Sequence, residues 1–316
     1  MQGYLQVKHV IAVANGSIAL QLLYKALALE GEIITTPFSF VATASTIKWL
    51  GLTPVFVDID EKSFNINVDN IENKITSKTS AIVATHIFGN PCHTKKIEAI
   101  AKKHNLKVIY DGAHAFGVQQ QHTNLFSNGD ATALSFHATK IFSTVEGGAI
   151  ATNDDNLAKQ LRQIINFGQD ENGDIVALGI NAKMNEFEAA FGLSMFPEID
   201  KIIKRKKDIY QRYIDELDEF IQSQYFCASI QRNYIYAPFI FHSTEQVSAI
   251  IHALNEHNIF PKQYFLPALS SLNFLNNNQS TPIAKKVAER ILCLPSYFDL
   301  SDEQISKICS IIRSAT

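Results

Sequence analysis

The residue best suited to chemistry is Lys140, in the stretch SFHATKIFSTVEGGAI. Between Asp130 and Asp154 the only formal charges are Lys140 and Glu146, and the flanking ATALSF and GGAIAT read as short buried strands. A lysine left charged and unpaired between such strands is costly. Two readings follow. Either the stem packs and the ammonium reaches water, or the amine is desolvated, its pKa lowered, and ready to form a Schiff base with a carbonyl compound.

Other residues gain meaning beside that lysine. Asp111 closes LKVIYD and precedes the small residues GAHAFG. It either caps the next helix or faces a bound cation such as a pyridinium nitrogen. His114, three residues on, is by default a satisfied histidine under a loop. Gly16-Ser17 opens a helical run, where free N–H groups serve as a plain helix start or receive a phosphate. Phe40 is core or stacks on a flat ring. Taken together they supply what pyridoxal phosphate needs: an amine, a carboxylate for the ring nitrogen, an aromatic face and a phosphate cup.

These residues need elements to position them. VIAVA is followed by IALQLLYKALAL, apolar at 18, 19, 22, 23, 26 and 27, a helix capped by Asn15 or Ser17. EIITTP, PVFVDID, SAIVATHIFG and KVIYD read as strands, with helices FSFVATASTIKWLG, VDNIENKI and TKKIEAIAKKHN between them. Such alternation predicts an α/β fold with a mostly parallel sheet covered by helices on both faces. Ligands then sit beyond the carboxyl ends of the strands. His86, Asp111 and Lys140 lie at or just past strand ends and are expected to converge.

After Asp154 the pattern changes. NLAKQLRQIINFG is a helix ending at Gly168, then QDENGDIVALGINAK is a polar loop and MNEFEAAFGLSMF is helical. A long basic helix starts at Pro197 and reaches about Leu217; its KIIKRKK reads as a solvated face. YIYAPFIF, STEQVSAIIHALNEHN, ILCLPSY and a final amphipathic helix form a smaller α+β unit, and NNNQS at 276–280 is a loop. The division expected is a large ligand-binding domain over 1–200 and a small C-terminal domain over 201–316.

Composition narrows the class. With 316 residues, 46% hydrophobic and 19% charged, the chain is globular. A net charge of -3 gives no electrostatic case for nucleic acid or membrane surfaces. No apolar run approaches the roughly 20 residues of a membrane helix, and MQGYLQVKHV lacks the regions of a signal peptide. Cys92, Cys227, Cys293 and Cys309 share no metal-ligand spacing and read as reduced and buried in a cytoplasmic protein. The glycine patterns of dinucleotide and nucleotide-phosphate loops are absent, as are H-E-x-x-H and G-x-S-x-G.

NGSIAL, TTPFSFVATAS, PVFVDID, VIYDGAHAFG, SFHATKIFSTVEGGAI, GINAKMNEFEAAFGL, YFLP and ILCLPSY together resemble the DegT/DnrJ/EryC1/StrS family over nearly the whole chain. These are sugar aminotransferases of the fold-type I pyridoxal-phosphate class. The resemblance implies that Lys140 carries the cofactor covalently, Asp111 pairs with its pyridine nitrogen, His114 contacts its hydroxyl and Phe40 stacks on its ring. It implies that Gly16, Ser17 and Ser135 hold the phosphate, and that Asn181 reaches the phosphate in a neighbouring subunit of a homodimer. The reaction implied moves the amino group of glutamate to a nucleotide-linked keto-deoxy sugar, with dTDP-4-keto-6-deoxyglucose the expected acceptor. It serves amino-sugar and polysaccharide biosynthesis.

Two rivals come with the resemblance. A related branch dehydrates sugars with the same cofactor but carries a histidine at the lysine position, and Lys140 argues against it. A non-catalytic protein on the same fold is the other. Family members usually carry several dozen residues ahead of the segment at which this chain starts, so a loosely associated dimer that holds its cofactor weakly is the expectation for these 316 residues.

Overall fold

The computed structural model describes residues 1–120, 125–275 and 279–315; the three asparagines of the NNNQS loop therefore lie outside the described residues. Helix α1 (Gln2–Leu5) leads into β1 (His9–Val13), α2 (Gly16–Ala26), β2 (Glu32–Thr35), α3 (Val41–Trp49) and β3 (Thr53–Phe56). The chain continues through β4 (Thr79–Thr85), α4 (Thr94–His104), β5 (Lys107–Asp111), the short β6 (Gln119–Gln120), β7 (Ala131–Ser135), β8 (Gly148–Thr152) and α5 (Asp155–Ile164). Seven of these strands form one sheet in the order β1-β8-β7-β5-β4-β2-β3. Only β8 runs against the rest, pairing antiparallel with both β7 and β1.

The sheet is covered on both faces, and the side chains divide by the two-residue period of a strand. Ile33, Val83 and Ile109 pack with Leu22 and Leu23 of α2 and Leu157 and Leu161 of α5. Their neighbours Ile34, Ile82 and Val108 point the other way, into a core with Ile97 and Ala101 of α4. VDNIENKI, expected as a helix, is two 3-10 turns, Val68–Asn70 and Glu72–Lys74. The Asn67 side chain accepts from the Asp69 N–H and closes a turn there instead.

The C-terminal part begins with α6 (Glu186–Met195) and α7 (Ile199–Leu217), the latter preceded by a 3-10 turn at Phe196–Glu198. Then come β9 (Gln222–Ser223), β10 (Ile230–Gln231), β11 (Ala237–Ile240), α8 (Thr244–Glu256), α9 (Pro282–Arg290), β12 (Ile291–Leu294) and α10 (Asp302–Ala315). Strands β9, β11 and β12 make a small antiparallel sheet. Its core joins Phe239, Leu292 and Ile305 to Ile209, Tyr213 and Leu217 of α7. The first turn of the same helix, at Ile199, packs instead with Phe116, Phe136 and Phe142 of the large part.

Among the described residues no helix is long and apolar enough to cross a membrane, and no group of side chains could hold a metal ion. All four cysteines are free, but Cys227 is exposed rather than buried, in a surface turn where its sulfur meets Ser229.

Candidate active site

The floor of the site is made where three strand ends and one helix start meet. Val13 and Ser135 both pair with Gly148, so β1 and β7 deliver their carboxyl ends on either side of the first residue of β8. Helix α2 begins directly above. A Cβ on Gly148 would lie 2.5 Å from the Asn15 carbonyl carbon and 2.7 Å from the Gly16 nitrogen; one on Gly16 would lie 2.9 Å from the Ser135 Cβ. Only glycine at both places lets the helix start rest on the sheet. The Asn15 side chain caps α2 by accepting from the Ile18 N–H at 2.9 Å. Among the described residues no acceptor takes up the N–H groups of Gly16 and Ser17. Both residues line a cavity of about 630 Å³, with the positive end of an eleven-residue helix behind them.

Asp111, at the end of β5, is buried in the same cavity. Its Oδ2 accepts from Thr43 Oγ1 at 2.8 Å and its Oδ1 from the Ala113 N–H at 3.1 Å. Burial pushes its pKa above the ordinary carboxylate value, outweighing these two donors and Lys140. A cation bound opposite would reverse that balance. His114 is buried as well, its Nδ1 accepting from the Phe88 N–H at 3.2 Å. Desolvation first, then Lys140 and His86, hold its pKa well below the usual histidine value. It is therefore neutral, with its proton on Nε2.

Lys140 is half-buried in the loop joining β7 to β8 and lines this cavity too. Burial pulls its pKa down to about 8, against the opposing effect of Asp111. Its Nζ donates to the Tyr236 hydroxyl at 3.2 Å. The head is turned to a tyrosine at the cavity wall. The site thus joins a partly neutral amine, a buried carboxylate, a neutral imidazole and an open helix start.

Residues 1–313 match the profile of the DegT/DnrJ/EryC1/StrS aminotransferase family. The chain belongs to that family. It is 40% identical over 317 residues to a dTDP-4-amino-4,6-dideoxy-D-glucose transaminase of Shigella dysenteriae, covering 98% of this chain and 86% of that protein. It is 32% identical over 311 residues to a GDP-perosamine synthase of Escherichia coli O157:H7, covering 97% and 85%. Among solved structures, DesI in the presence of its TDP-sugar product superposes with a TM-score of 0.93 at 31% identity, over 99% of this chain and 82% of that one. The central sheet, parallel but for β8 and wrapped in helices, is the aminotransferase fold of that family.

Phe40 stands at the N-cap of α3, 59% exposed at the cavity wall, and Ser135 lines the cavity at the end of β7. His86 does not join them. Its backbone N–H bonds the Asp111 carbonyl, but its ring stacks on Tyr110 at 4.8 Å and its Nδ1 accepts from the Cys92 N–H. Asn181 also lies outside the cavity, exposed and bridged to Asn166. The KIIKRKK stretch is not a uniformly solvated face either. Lys206 Nζ bonds the carbonyls of Ser296 and Ile235 at 2.7 and 3.2 Å, and Arg205 bonds that of Leu300. Thr43, Tyr236, Tyr264 and Gly148 were not singled out by the sequence, though all but Thr43 and Gly148 line the cavity.

Proposed function

We propose that this aminotransferase uses pyridoxal phosphate to move the amino group of glutamate onto the keto carbon of a nucleotide-linked deoxy sugar, working as a homodimer in the cytoplasm. The observation that carries the reading is the meeting of Lys140, Asp111 and the α2 start in one cavity. The residues present fit the cofactor. Gly16, Ser17 and Ser135 would take its phosphate, where the N–H groups of Gly16 and Ser17 have no other partner among the described residues and no Cβ intrudes at Gly16 or Gly148. Asp111 would face the ring nitrogen, His114 would offer Nε2–H to the ring oxygen, and Phe40 would cover one face.

When bound, pyridoxal phosphate supplies an electron sink for the carbon that loses or gains the amino group. The protein's residues do the rest. Asp111 would lie opposite the ring nitrogen, charged by that cation, and hold the proton there. Lys140, with a pKa near 8, takes a proton from one carbon and returns it to another, the work of a general base placed near the operating pH. The names of the Shigella relative and of the DesI complex support a dTDP-linked acceptor, and dTDP-4-keto-6-deoxyglucose is the acceptor we favour.

The dimer reading rests on the outer surface. Phe187, Leu178, Leu193 and Ile175 are 90%, 87%, 77% and 76% exposed, on α6 and the loop before it, beside Asn181. Apolar exposure on that scale marks a face that another protein surface covers, and a second copy would bring its Asn181 towards the partner's phosphate cup.

One experiment tests the function. Purified protein is incubated with pyridoxal phosphate, glutamate and a panel of keto-sugar nucleotides, with products identified by mass. An amino sugar nucleotide is expected from the dTDP-4-keto sugar, and a panel that returns no aminated product sinks the proposal. Borohydride reduction and peptide mapping of the same sample should place the cofactor on the Lys140 peptide.

A further inference from the structure

Lys140 lies on a thin partition. On one side is the 630 Å³ cavity with Asp111 and His114; on the other is a second cavity of about 550 Å³, and Thr139, Lys140, Tyr236 and Tyr264 line both. A lysine stem has several freely rotating bonds, so an amine at such a wall has room to turn either way. Only from the first cavity can it face the carboxylate and the histidine. Something must keep it there whenever it is not covalently engaged.

Tyr236 is built to do so. Its hydroxyl accepts from Lys140 Nζ at 3.2 Å, and the amine stands 5.7 Å from its ring centroid. The ring is fixed edge-on to His114 at 5.3 Å and against Tyr264 at 4.9 Å. The backbone beneath it is tied on both sides. Asn233, three residues before, donates through Nδ2 to the carbonyls of His114 and Phe116 at 2.7 and 2.8 Å. Its Oδ1 accepts from the Ile235 N–H, and Lys206 holds the Ile235 carbonyl. The segment that carries Tyr236 is thereby anchored to the loop that carries His114, so the hydroxyl and the imidazole keep a fixed spacing. Burial raises the Tyr236 pKa well above the ordinary value, which keeps the hydroxyl neutral and available as an acceptor.

We infer that Tyr236 is a positioning residue for the reaction: its hydroxyl holds the released Lys140 amine on the cofactor side of the partition, in line for the proton it must carry. This rests on the assignment of Lys140 made above. When the amine takes up its proton it becomes an ammonium, and the neutral Tyr236 oxygen accepts one of its hydrogens; when the proton is returned the contact relaxes. A hydrogen bond to a charged group strengthens as the charge forms, so the hydroxyl favours the proton-bearing state along the path.

The alternative is that Tyr236 only fills the wall with its ring. Tyr236→Phe separates the two, since it keeps the ring and removes the acceptor. The glutamate half-reaction is followed in a single turnover of the cofactor-loaded protein by the change in cofactor absorption, with glutamate protonated or deuterated at its α-carbon. Proton transfer in the variant should slow roughly tenfold to a hundredfold, as loss of a hydrogen bond to a charged group implies. The deuterium isotope effect should rise, while cofactor loading and the KM for glutamate stay close to the parent's. Tyr236→Gln, which restores an acceptor, should recover part of the loss. A parent-like rate with an unchanged isotope effect overturns the proposal, and so does failure of both variants to load cofactor, which would make Tyr236 a wall residue. Borohydride mapping of parent and variant is read alongside: an adduct away from Lys140 strikes the Lys140 assignment itself, whereas an adduct on Lys140 with unaltered kinetics strikes only the role of Tyr236.

Discussion

The cavity floor and the outer face of α6 are opposite kinds of surface. On the floor nearly every polar group that matters is already committed: Asp111 to Thr43 and Ala113, His114 to Phe88, Lys140 to Tyr236, Asn15 to Ile18. What is left open there among the described residues is specific: the two helix-start N–H groups of Gly16 and Ser17. On the α6 face the chain leaves large apolar side chains in water, Phe187 and Leu178 at 90% and 87% exposure. The floor is pre-organised by one chain, so its substitutions should act on chemistry and cofactor. The face is unfinished, so its substitutions should act on association.

The largest effect expected is on the floor. Asp111→Asn should leave the oligomeric state as it is and cut turnover by about two orders of magnitude or more. Each pK unit lost at the ring nitrogen is worth about 1.4 kcal/mol. Steady-state rates beside a sedimentation profile would check both halves; a variant as active as the parent would make Asp111 a structural residue. Gly148→Ala comes next. Its methyl would press on Asn15 and Gly16, and overpacking of this kind costs about 1–3 kcal/mol. Because α2 must lift from Ser135, retention of pyridoxal phosphate on a desalting column should fall about tenfold.

A contrary pair of results would come from the face. Replacing Phe187 and Leu178 by aspartate should turn the proposed dimer to monomer in light scattering, while the melting of the single chain moves by no more than about 0.5 kcal/mol, as befits exposed positions. If these variants remain dimers, the exposed patch serves another purpose. The last effect is on pH. Lys140 reacts as the neutral amine, and its pKa is lowered to about 8. Below pH 8 the rate of cofactor uptake should therefore climb about tenfold per pH unit and level off above it. Stopped-flow absorbance against pH would show it, and a climb continuing towards pH 10 would mean an amine that is not desolvated.

The same contrast explains what could be read from the sequence. Lys140 and Asp111 are legible because a charge or carboxylate at the end of a buried strand has few bland explanations, and βα alternation says where strand ends meet. Tyr236 is not legible. It sits 96 residues from Lys140, inside YIYAPFIF, where an aromatic looks like core. Thr43 is equally silent, one of several small residues on a helix whose buried partner lies 68 positions away. The glycines of EGGAI are visible as a pair, but the backbone that presses on Gly148 comes from Asn15, and only the antiparallel turn of β8 brings them together. His86 misleads for a related reason. It follows directly on β4 much as Asp111 closes β5, yet its ring goes to Tyr110, since strand order fixes where the backbone arrives and packing fixes where the side chain goes.

Helix α7 has a mechanical consequence. Its 19 residues span about 28 Å at 1.5 Å per residue, with Ile199 set among the phenylalanines of the large part and Tyr213 and Leu217 in the core of the small one. Dividing the chain at residue 200 would cut this helix in its first turn. It is a shared beam, set at one end beside Phe116, two residues from His114, and at the other in the small core. It also carries Lys206, which holds the Ile235 carbonyl in the segment that leads through Tyr236 into β11. A substrate that pulls the small part closed would thus draw on the same rod that steadies the tyrosine opposite Lys140.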